Sequence, residues 1–195
     1  MPDHPLRRDP LREPPPRRRR LEDRDPVSPV PAATPIDGAL VVPLARHGDS
    51  RGWFLEARRE SWFRELGGQP SLQTNIVWSR QGVIRGLHYH ELGQDDLFFC
   101  ALGMVRVVLF DRREDSPTHG TAWSIDIGED NPAAVYVPGR TAHGYEALTD
   151  CLFCYHVTHE YNPDDENTFP WNDDRVRHLW STDSPILSAR DVEVS

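Results

Sequence analysis

Two histidines separated by one residue, His88 and His90, end the segment RGLHYH. In a β-strand, side chains two positions apart point to the same face, so both imidazoles are expected to project into one space, with Ile84 before them. Imidazole can ligate a metal, remove a proton from carbon, or pack in a strand with no chemical role. The histidine pair alone leaves these three interpretations open.

Residues of the types that acid–base chemistry needs also occur later in the chain. His143 follows a Pro-Gly turn in YVPGRTAHGY, and Tyr155 and Tyr161 stand in LFCYHVTHEY. Removing a proton from a carbon next to a ketone requires a base with a pKa near 7, such as imidazole. Returning a proton to the opposite face requires an acid, for which a tyrosine hydroxyl is suited. A carboxylate would hold the histidine tautomer, and donors or a cation would stabilise the enolate.

Short segments with β-strand character carry these residues. Turn signals separate candidate strands at 72–79, 82–90, 96–101, 104–111, 121–127, 134–138, 142–148 and 151–159. Such a series predicts an antiparallel sandwich or small barrel and not a βαβ fold. One helix is predicted in ESWFRELGG, from Glu60 to the Gly67-Gly68 pair. The tail is expected to be irregular, with a short helical turn around 171–180.

Composition predicts one folded domain and a flexible extension. Residues 1–36 are rich in proline and arginine and are expected to form a disordered arm, with the folded domain over 37–195. The net charge of −9 argues against nucleic acid as the main partner. With no membrane-length apolar run and no signal peptide recognised, we expect no membrane contact and a cytoplasmic location. Cys100, Cys151 and Cys154 are expected to be buried free thiols.

Several longer motifs occur in the order that a known family shows. They extend from about residue 39 to residue 191 and read DSRGWFLE, LQTNIVWSR, RQGVIRGLHYH, GMVRVVLFDRREDSPTHGTAW, YVPGRTAHGY, FCYHVTHEYNP, WNDD and PILSARD. Through these motifs the sequence resembles the dTDP-4-dehydrorhamnose 3,5-epimerase family. The resemblance implies a cupin jelly roll, an all-β double-stranded β-helix that is usually a homodimer. It also implies epimerisation of a dTDP-linked 4-keto-6-deoxyhexose at C3, C5 or both through an enolate, in deoxysugar nucleotide biosynthesis, without a metal or other cofactor.

The resemblance also implies roles for single residues. His88 falls on the position of the catalytic base, Tyr155 on that of the catalytic acid, and Asp191 on that of the carboxylate paired with the base. Arginine forks suit phosphate oxygens, as a dTDP sugar would require. The residues that fall on substrate-binding positions are Arg51, Gln73, Asn75, Arg85, His143 and Tyr161.

One position departs from the family at the centre of the chemistry. The family has a lysine, thought to steady the enolate oxygen, where this chain has Asp96, and the chain contains no lysine at all. A carboxylate beside an enolate is repulsive unless it is protonated or turned away. Arg85, His90 or His156 would then have to steady the oxygen. The departure leaves open whether C3, C5 or both centres invert.

A second departure, a histidine in place of the family's usual glutamine, suggests a metal-dependent cupin enzyme as an alternative. Three imidazoles and one carboxylate would suit Fe(II), Mn(II), Ni(II) or Zn(II). The candidate ligands of this alternative are His88, His90, Asp96 and His143. A further alternative is a cupin that binds the sugar nucleotide without catalysing a reaction.

Overall fold

The computed structural model describes residues 29–67 and 69–194. Within them, two α-helices occur, α1 (Glu60–Glu65) and α2 (Ala189–Glu193), and neither is long and apolar enough to cross a membrane. The strands of the described residues are β1 (Ala32–Ala33), β2 (Leu40–Pro43), β3 (Arg46–Asp49), β4 (Gly52–Leu55), β5 (Gln73–Ser79), β6 (Ile84–Tyr89), β7 (Asp96–Leu102), β8 (Met104–Phe110), β9 (Ala122–Gly128), β10 (Ala133–Val137), β11 (Ala142–Ala147), β12 (Cys151–Val157) and β13 (Asn167–Thr168).

The strands form two antiparallel sheets that pack face to face. One sheet has the strand order β1-β2-β10-β7-β12-β5 and the other β13-β6-β11-β8-β9, while β3 and β4 form a separate hairpin. The main core contains Phe98, Val135 and Phe153 from the larger sheet and Val107 and Tyr145 from the smaller one. Neighbouring strands are mostly distant in sequence, as in a jelly roll, and the predicted all-β sandwich is confirmed.

The predicted strands between residues 72 and 159 correspond to β5 through β12, with ends that agree to within two residues. Burial explains this agreement. In β5, for example, half-buried and exposed residues alternate along the strand. An antiparallel strand with one solvent face requires this period of two.

Helix α1 forms where it was predicted and covers the outer face of the larger sheet. Phe63 is fully buried there with Leu97 and Tyr136. Leu66 is the C-cap of the helix, and Gly67 follows with a φ of 88°. Glycine adopts this left-handed conformation without a steric penalty from a Cβ.

Regular structure begins before residue 37, the predicted start of the domain. Strand β1 pairs with β2, and Ile36 is buried in the main core. The apolar side chain of Ile36 thereby draws residues 32–36 into the fold. The rest of the predicted arm, residues 1–28, lies outside the described residues.

The chain after β12 covers the outer face of the smaller sheet. Phe169, Trp171, Val176 and Trp180 pack there around outward-facing side chains such as that of Val108. The helical turn expected around 171–180 is a 3₁₀ helix, Arg177–Leu179.

Residues after 180 return along β6 and bring α2 to the end of the sandwich. The N–H of Ile186 donates to the Gly82 carbonyl at 2.9 Å, and the Ile186 carbonyl accepts from the N–H of Ile84 at 3.1 Å. Ser188 caps α2, because its hydroxyl accepts from the N–H of Asp191. This short helix was not predicted from the sequence.

Candidate active site

A cavity of about 600 Å³ lies between the two sheets. This volume is typical of small-molecule sites. Its walls come from β5, β7 and β12 of the larger sheet, from β6 and β11 of the smaller sheet, and from α2. The predicted site residues that line it are Gln73, Asn75, Arg85, His88, His90, Asp96, His143, Tyr155, Tyr161 and Asp191.

Glycines allow the strand that carries His88 to approach its neighbour closely. Gly86 has a φ of 119°, and a Cβ at this position would lie 2.8 Å from the Cα of Gly144. The register of β6 against β11 shifts at this point, and both Arg85 and His88 line the cavity. Ile84 instead packs on the outer face of the sheet. The expectation that Ile84 shares the face of His88 is therefore wrong, because the alternation does not continue through Gly86.

A buried carboxylate holds His88. Nε2 of His88 lies 2.9 Å from Oδ1 of Asp191, which is 2% exposed, and Ser188 donates to the other carboxylate oxygen at 2.7 Å. Burial by itself would raise the pKa of Asp191, but the hydrogen bonds from His88 and Ser188 outweigh it and lower the pKa. Because an ionised carboxylate only accepts, this bond places the proton on Nε2 and leaves Nδ1 as the basic nitrogen of the neutral ring.

Tyr155 faces the same cavity from the opposite sheet. It lies beside Asn75 of β5 in the strand register. Burial, reinforced by the charges of Asp96 and Glu166, raises the pKa of the Tyr155 phenol. The hydroxyl therefore keeps its proton at neutral pH and can act as a donor.

Two more imidazoles, those of His143 and His90, line the cavity. Nδ1 of His143 donates to the Thr141 carbonyl at 2.9 Å, and Nδ1 of His90 donates to the Asp165 carbonyl at 3.0 Å. Because a carbonyl only accepts, each neutral ring presents Nε2 as an acceptor. Burial is the main cause that lowers the pKa of both rings, to about 4 for His143.

Asp96 is a buried carboxyl group in the cavity wall, 1% exposed. In the described part of the chain it accepts one side-chain hydrogen bond, from Gln94 at 3.3 Å. Its Oδ2 lies 3.9 Å from Nε2 of His143. Burial raises the pKa of Asp96 to about 7.

Four of the predicted substrate-binding residues, Gln73, Asn75, Arg85 and Tyr161, form hydrogen bonds within the protein. The side-chain Nε2 of Gln73 donates to Oδ1 of Asn75 at 2.9 Å, and the side-chain Oε1 of Gln73 accepts from the backbone N–H of Tyr161 at 2.9 Å. Nε of Arg85 donates to the Ser79 hydroxyl at 3.0 Å. These bonds fix the orientation of amide and guanidinium groups that line the cavity.

Arg51 is the one predicted site residue that does not line the cavity of its own chain. It lies at the tip of the β3–β4 hairpin, where its side chain is 88% exposed and forms an ion pair with Asp49. Its N–H also donates to Asp49, at 2.9 Å. Within a single chain, Arg51 therefore does not meet the other predicted residues.

Comparison with known proteins identifies the family of the chain. The family model described as dTDP-4-dehydrorhamnose 3,5-epimerase matches residues 33–195. The chain belongs to this family. The dTDP-4-dehydrorhamnose 3,5-epimerase of Salmonella typhimurium strain LT2 is 34% identical over 165 residues, which are 82% of this chain and 90% of that enzyme. The spore coat polysaccharide biosynthesis protein SpsL of Bacillus subtilis strain 168 is 43% identical over 155 residues, 76% of this chain and 98% of that protein.

Solved structures of the epimerase family share the fold. The dTDP-6-deoxy-D-glucose-3,5-epimerase of Legionella pneumophila, in complex with dTDP-4-keto-L-rhamnose, has a TM-score of 0.79 and 30% identity, covering 84% of this chain and 90% of that one. ChmJ of Streptomyces bikiniensis, a 3'-monoepimerase in complex with dTDP-quinovose, has a TM-score of 0.74 and 30% identity, covering 81% and 83%. The predicted cupin jelly roll is confirmed.

The metal-dependent alternative receives no support from the geometry. Among the residues that the structure describes, no three or more His, Cys, Asp or Glu side chains form a group that could hold a metal ion. His88, His90, Asp96 and His143 share the cavity without forming such a group. The Nε2 atom of His88 is already bound to Asp191.

Arg190 is a site residue that the sequence analysis missed. Its Nη2 lies 2.7 Å from Nε2 of His88, and its Nη1 lies 2.8 Å from Glu166. Since arginine only donates, its contact with Nε2 is a hydrogen bond only when Nε2 carries no proton, whereas the Asp191 bond requires that proton. With the proton on Nε2, the same Nη2 atom, which lies 3.4 Å from Nδ1 of His88, can donate to Nδ1 instead. We assign the Asp191 bond, because Asp191 is buried and held by Ser188 while the Arg190 side chain is 42% exposed. The sequence feature that could have identified Arg190 is its position next to Asp191 in the segment LSARD.

His156, one of the three donors considered for the enolate oxygen, lies outside the cavity. Its Nδ1 is 2.8 Å from the Thr74 hydroxyl, and its ring stacks on Phe99 on the outer face of the larger sheet. The other two candidates are His90 and Arg85. The neutral ring of His90 presents the lone pair of Nε2 and cannot donate from this atom, so only Arg85 can always donate to the enolate oxygen.

Proposed function

We propose that this chain epimerises a dTDP-linked 4-keto-6-deoxyhexose at C3, C5 or both, in deoxysugar nucleotide biosynthesis. The observation that carries the proposal is that His88, with its buried carboxylate partner, and Tyr155 line one cavity from opposite sheets. Membership of an epimerase family supports it. So do relatives whose structures hold dTDP sugars.

The first step of the proposed reaction is removal of a proton from a carbon beside the keto group by Nδ1 of His88. The electron pair of the broken C–H bond moves towards the keto oxygen and gives an enolate. Asp191 holds the ring through Nε2 and stabilises the imidazolium that forms, remaining ionised itself. Its lowered pKa ensures that it is charged at neutral pH.

The second step returns a proton to the opposite face of the same carbon from the Tyr155 hydroxyl. The raised pKa of the phenol keeps the proton in place until the enolate has formed. The new C–H bond inverts the centre, and exchange with solvent restores the protons of His88 and Tyr155. Because C3 and C5 both flank the keto carbon, the same residues can act at either centre.

The other polar residues of the cavity would bind the substrate. Gln73, Asn75 and Tyr161 line the cavity near one another, and Arg85 supplies a guanidinium group that suits the diphosphate. His143 presents Nε2 as an acceptor for a sugar hydroxyl. No nucleic acid, membrane or metal takes part in this proposal.

Deuterium incorporation tests the function directly. The protein is incubated in D2O with dTDP-4-keto-6-deoxyglucose, and proton NMR follows loss of the C3 and C5 signals. We expect exchange in the wild type and at least a 100-fold slower exchange in His88→Ala. His178→Ala is the matched control, since His178 is an exposed histidine remote from the cavity.

The same experiment distinguishes the non-catalytic alternative. Tight dTDP binding with no exchange at either carbon would show that the cavity binds sugar nucleotides without turnover. Exchange at one carbon alone would show a single-centre epimerase. Equal exchange in wild type and His88→Ala would refute the assignment of the base.

We further propose that the protein is a homodimer in which Arg51 serves the cavity of the second copy. Arg51 is exposed and does not line its own cavity, and the nearby residues Trp53 and Phe54 are also exposed. On the outer face of the edge strand β5, Ile76 and Trp78 are also exposed. Exposed apolar groups of this kind mark interaction surfaces.

Mixing two inactive variants tests this arrangement. In a mixed dimer of Arg51→Ala and His88→Ala chains, one cavity would contain both an intact His88 and an intact Arg51. We expect the mixture to regain exchange activity that neither variant has alone. No recovery in mixed dimers confirmed by mass would refute the sharing of Arg51.

A cytoplasmic location stays a prediction from the sequence. Cys100, Cys151 and Cys154 are free, as expected, with Cys151 and Cys154 buried and Cys100 half-buried.

A further inference from the structure

Asp96 lies where the proposed reaction needs a group that stabilises negative charge. It begins β7 and shares a strand face with Phe98, two residues on. The Phe98 ring lies 5.3 Å from that of His143 and 6.0 Å from that of Tyr155, measured between centroids. Asp96 thus faces the cavity beside the Tyr155 phenol, on the same sheet, and opposite His143 on the other sheet.

The titratable groups around Asp96 offer no permanent positive charge. In the described part of the chain, no arginine forms an ion pair with it, and the whole chain has no lysine. The neighbours that can be charged, taken over all elements packed against it, are His90 after β6, His143 on β11, Tyr136 on β10, Tyr155 and His159 on or after β12, and the adjacent Asp95.

Two of these neighbours, His90 and His143, are kept neutral by burial, and each presents a lone pair from Nε2. An isolated carboxylate among neutral groups is costly in a buried site, so the neutral acid is the favoured form. The pKa of Asp96, about 7, agrees with this argument.

A neutral carboxyl group carries one O–H donor, and that donor has room to serve a ligand. The nearest acceptor nitrogen, Nε2 of His143, is 3.9 Å from Oδ2 of Asp96, which is beyond hydrogen-bond length. The contact with Gln94 uses Asp96 as an acceptor and leaves the O–H unused.

We propose that Asp96 acts as a neutral acid whose O–H donates a hydrogen bond to the keto oxygen of the bound sugar and to the enolate oxygen that develops there. This inference rests on the proposed function and names the group that stabilises its intermediate. The proton stays on Asp96 throughout, so the only transfers remain carbon to His88 and Tyr155 to carbon. A neutral donor in an enclosed site can stabilise an oxyanion without bringing a charge of its own.

The competing donors are the two arginines of the cavity. Arg85 is engaged by Ser79, and Arg190 lies between Glu166 and His88. If one of them stabilised the oxygen alone, loss of the Asp96 side chain would leave the reaction unchanged or accelerate it.

The pH dependence of turnover in two Asp96 variants tests the inference. Above pH 7, kcat of the wild type should fall about tenfold per pH unit as Asp96 loses its proton. Asp96→Asn keeps a donor that does not titrate, so its kcat should stay within about tenfold of the wild type at pH 6.5 and should not fall between pH 7 and 9. Asp96→Ala should lose about 10²- to 10³-fold in kcat, as oxyanion donors do.

The matched control is Asp95→Asn, which changes the adjacent carboxyl group. Asp95 accepts from the N–H of Gly139 and does not line the cavity. Its variant should keep the alkaline fall of the wild type, displaced to lower pH because the charge of Asp95 helps to raise the pKa of Asp96. The inference is overturned if Asp96→Ala turns over within threefold of the wild type, if Asp96→Asn is as slow as Asp96→Ala, or if Asp96→Asn keeps the alkaline fall.

Infrared spectroscopy separates failure of this inference from failure of the proposed function. A wild-type minus Asp96→Asn difference spectrum at pH 6, with dTDP bound, should show a protonated carboxyl band. Its absence overturns the inference even in an active epimerase. If the wild type shows no deuterium exchange, the proposed function fails. A keto stretch of the bound sugar that is lowered in the wild type and not in Asp96→Ala would still support the hydrogen bond.

Discussion

Replacing Asp96 with asparagine is expected to stabilise the protein at neutral and alkaline pH, whatever the chemistry of the site. Burial raises the pKa of Asp96 from 3.8 to about 7. Between these values the folded protein holds a proton that the unfolded chain has released, so stability falls as pH rises, by about 1.4 kcal/mol per unit. Over about three pH units the free energy of unfolding of the wild type falls by about 4 kcal/mol, and the fall is complete by about pH 8. The amide of Asp96→Asn does not titrate and avoids this loss.

Urea unfolding at a series of pH values measures the effect. The stability difference between Asp96→Asn and the wild type should grow by about 3 kcal/mol from pH 5 to pH 8 and then level off. Taking the difference cancels the titration of all other groups. The Asp95→Asn protein should show no comparable growth. A difference that does not change with pH would mean that Asp96 titrates alike in both states, and the argument from burial would be refuted.

Three further predictions concern the base, the acid and the packing of α1. Tyr155→Phe should reduce inversion at least about 100-fold while deuterium still enters through His88, as proton NMR would show; equal loss of both would contradict separate roles. Asp191→Asn keeps the size of the side chain but removes its charge, so kcat should fall about 10²- to 10⁴-fold with dTDP affinity unchanged in calorimetry; a loss of affinity alone would contradict the role. Phe63→Ala should lower the free energy of unfolding by about 3–5 kcal/mol in urea, and a loss below about 1 kcal/mol would contradict the packing.

The sequence predicted most of the sheet and the centre of the site, because both depend on local patterns. Turn signals between short segments of β-strand character located β5 through β12, and the spacing of His88 and His90 placed both rings on the cavity side. The catalytic position of Tyr155 came from the resemblance to the epimerase family. The common face of the two histidines needed only the strand period.

Features that depend on contacts between distant segments were harder to predict. The register shift at Gly86 moved Ile84 out of the cavity face, and only the approach of Gly144 from another strand explains it. Arg190 was missed because its contact with His88 spans 102 positions of the chain and the resemblance assigned a role only to its neighbour Asp191. The exposed position of Arg51 follows from the hairpin's place beside the sandwich, which strand periodicity does not encode.

Asp191, the carboxylate partner of His88, lies in a short segment near the end of the chain that has few attachments to the sandwich. Asp191 belongs to a five-residue helix that is fastened to the sandwich by the backbone of Ile186, and the main core includes no residue of that segment. Proteolytic cleavage between residues 181 and 185, or a bulky fusion that pulls the segment away, would leave a folded sandwich with a misaligned histidine. Such a protein would have a native-like circular dichroism spectrum but no enzymatic activity. An affinity tag is therefore better attached at the opposite terminus.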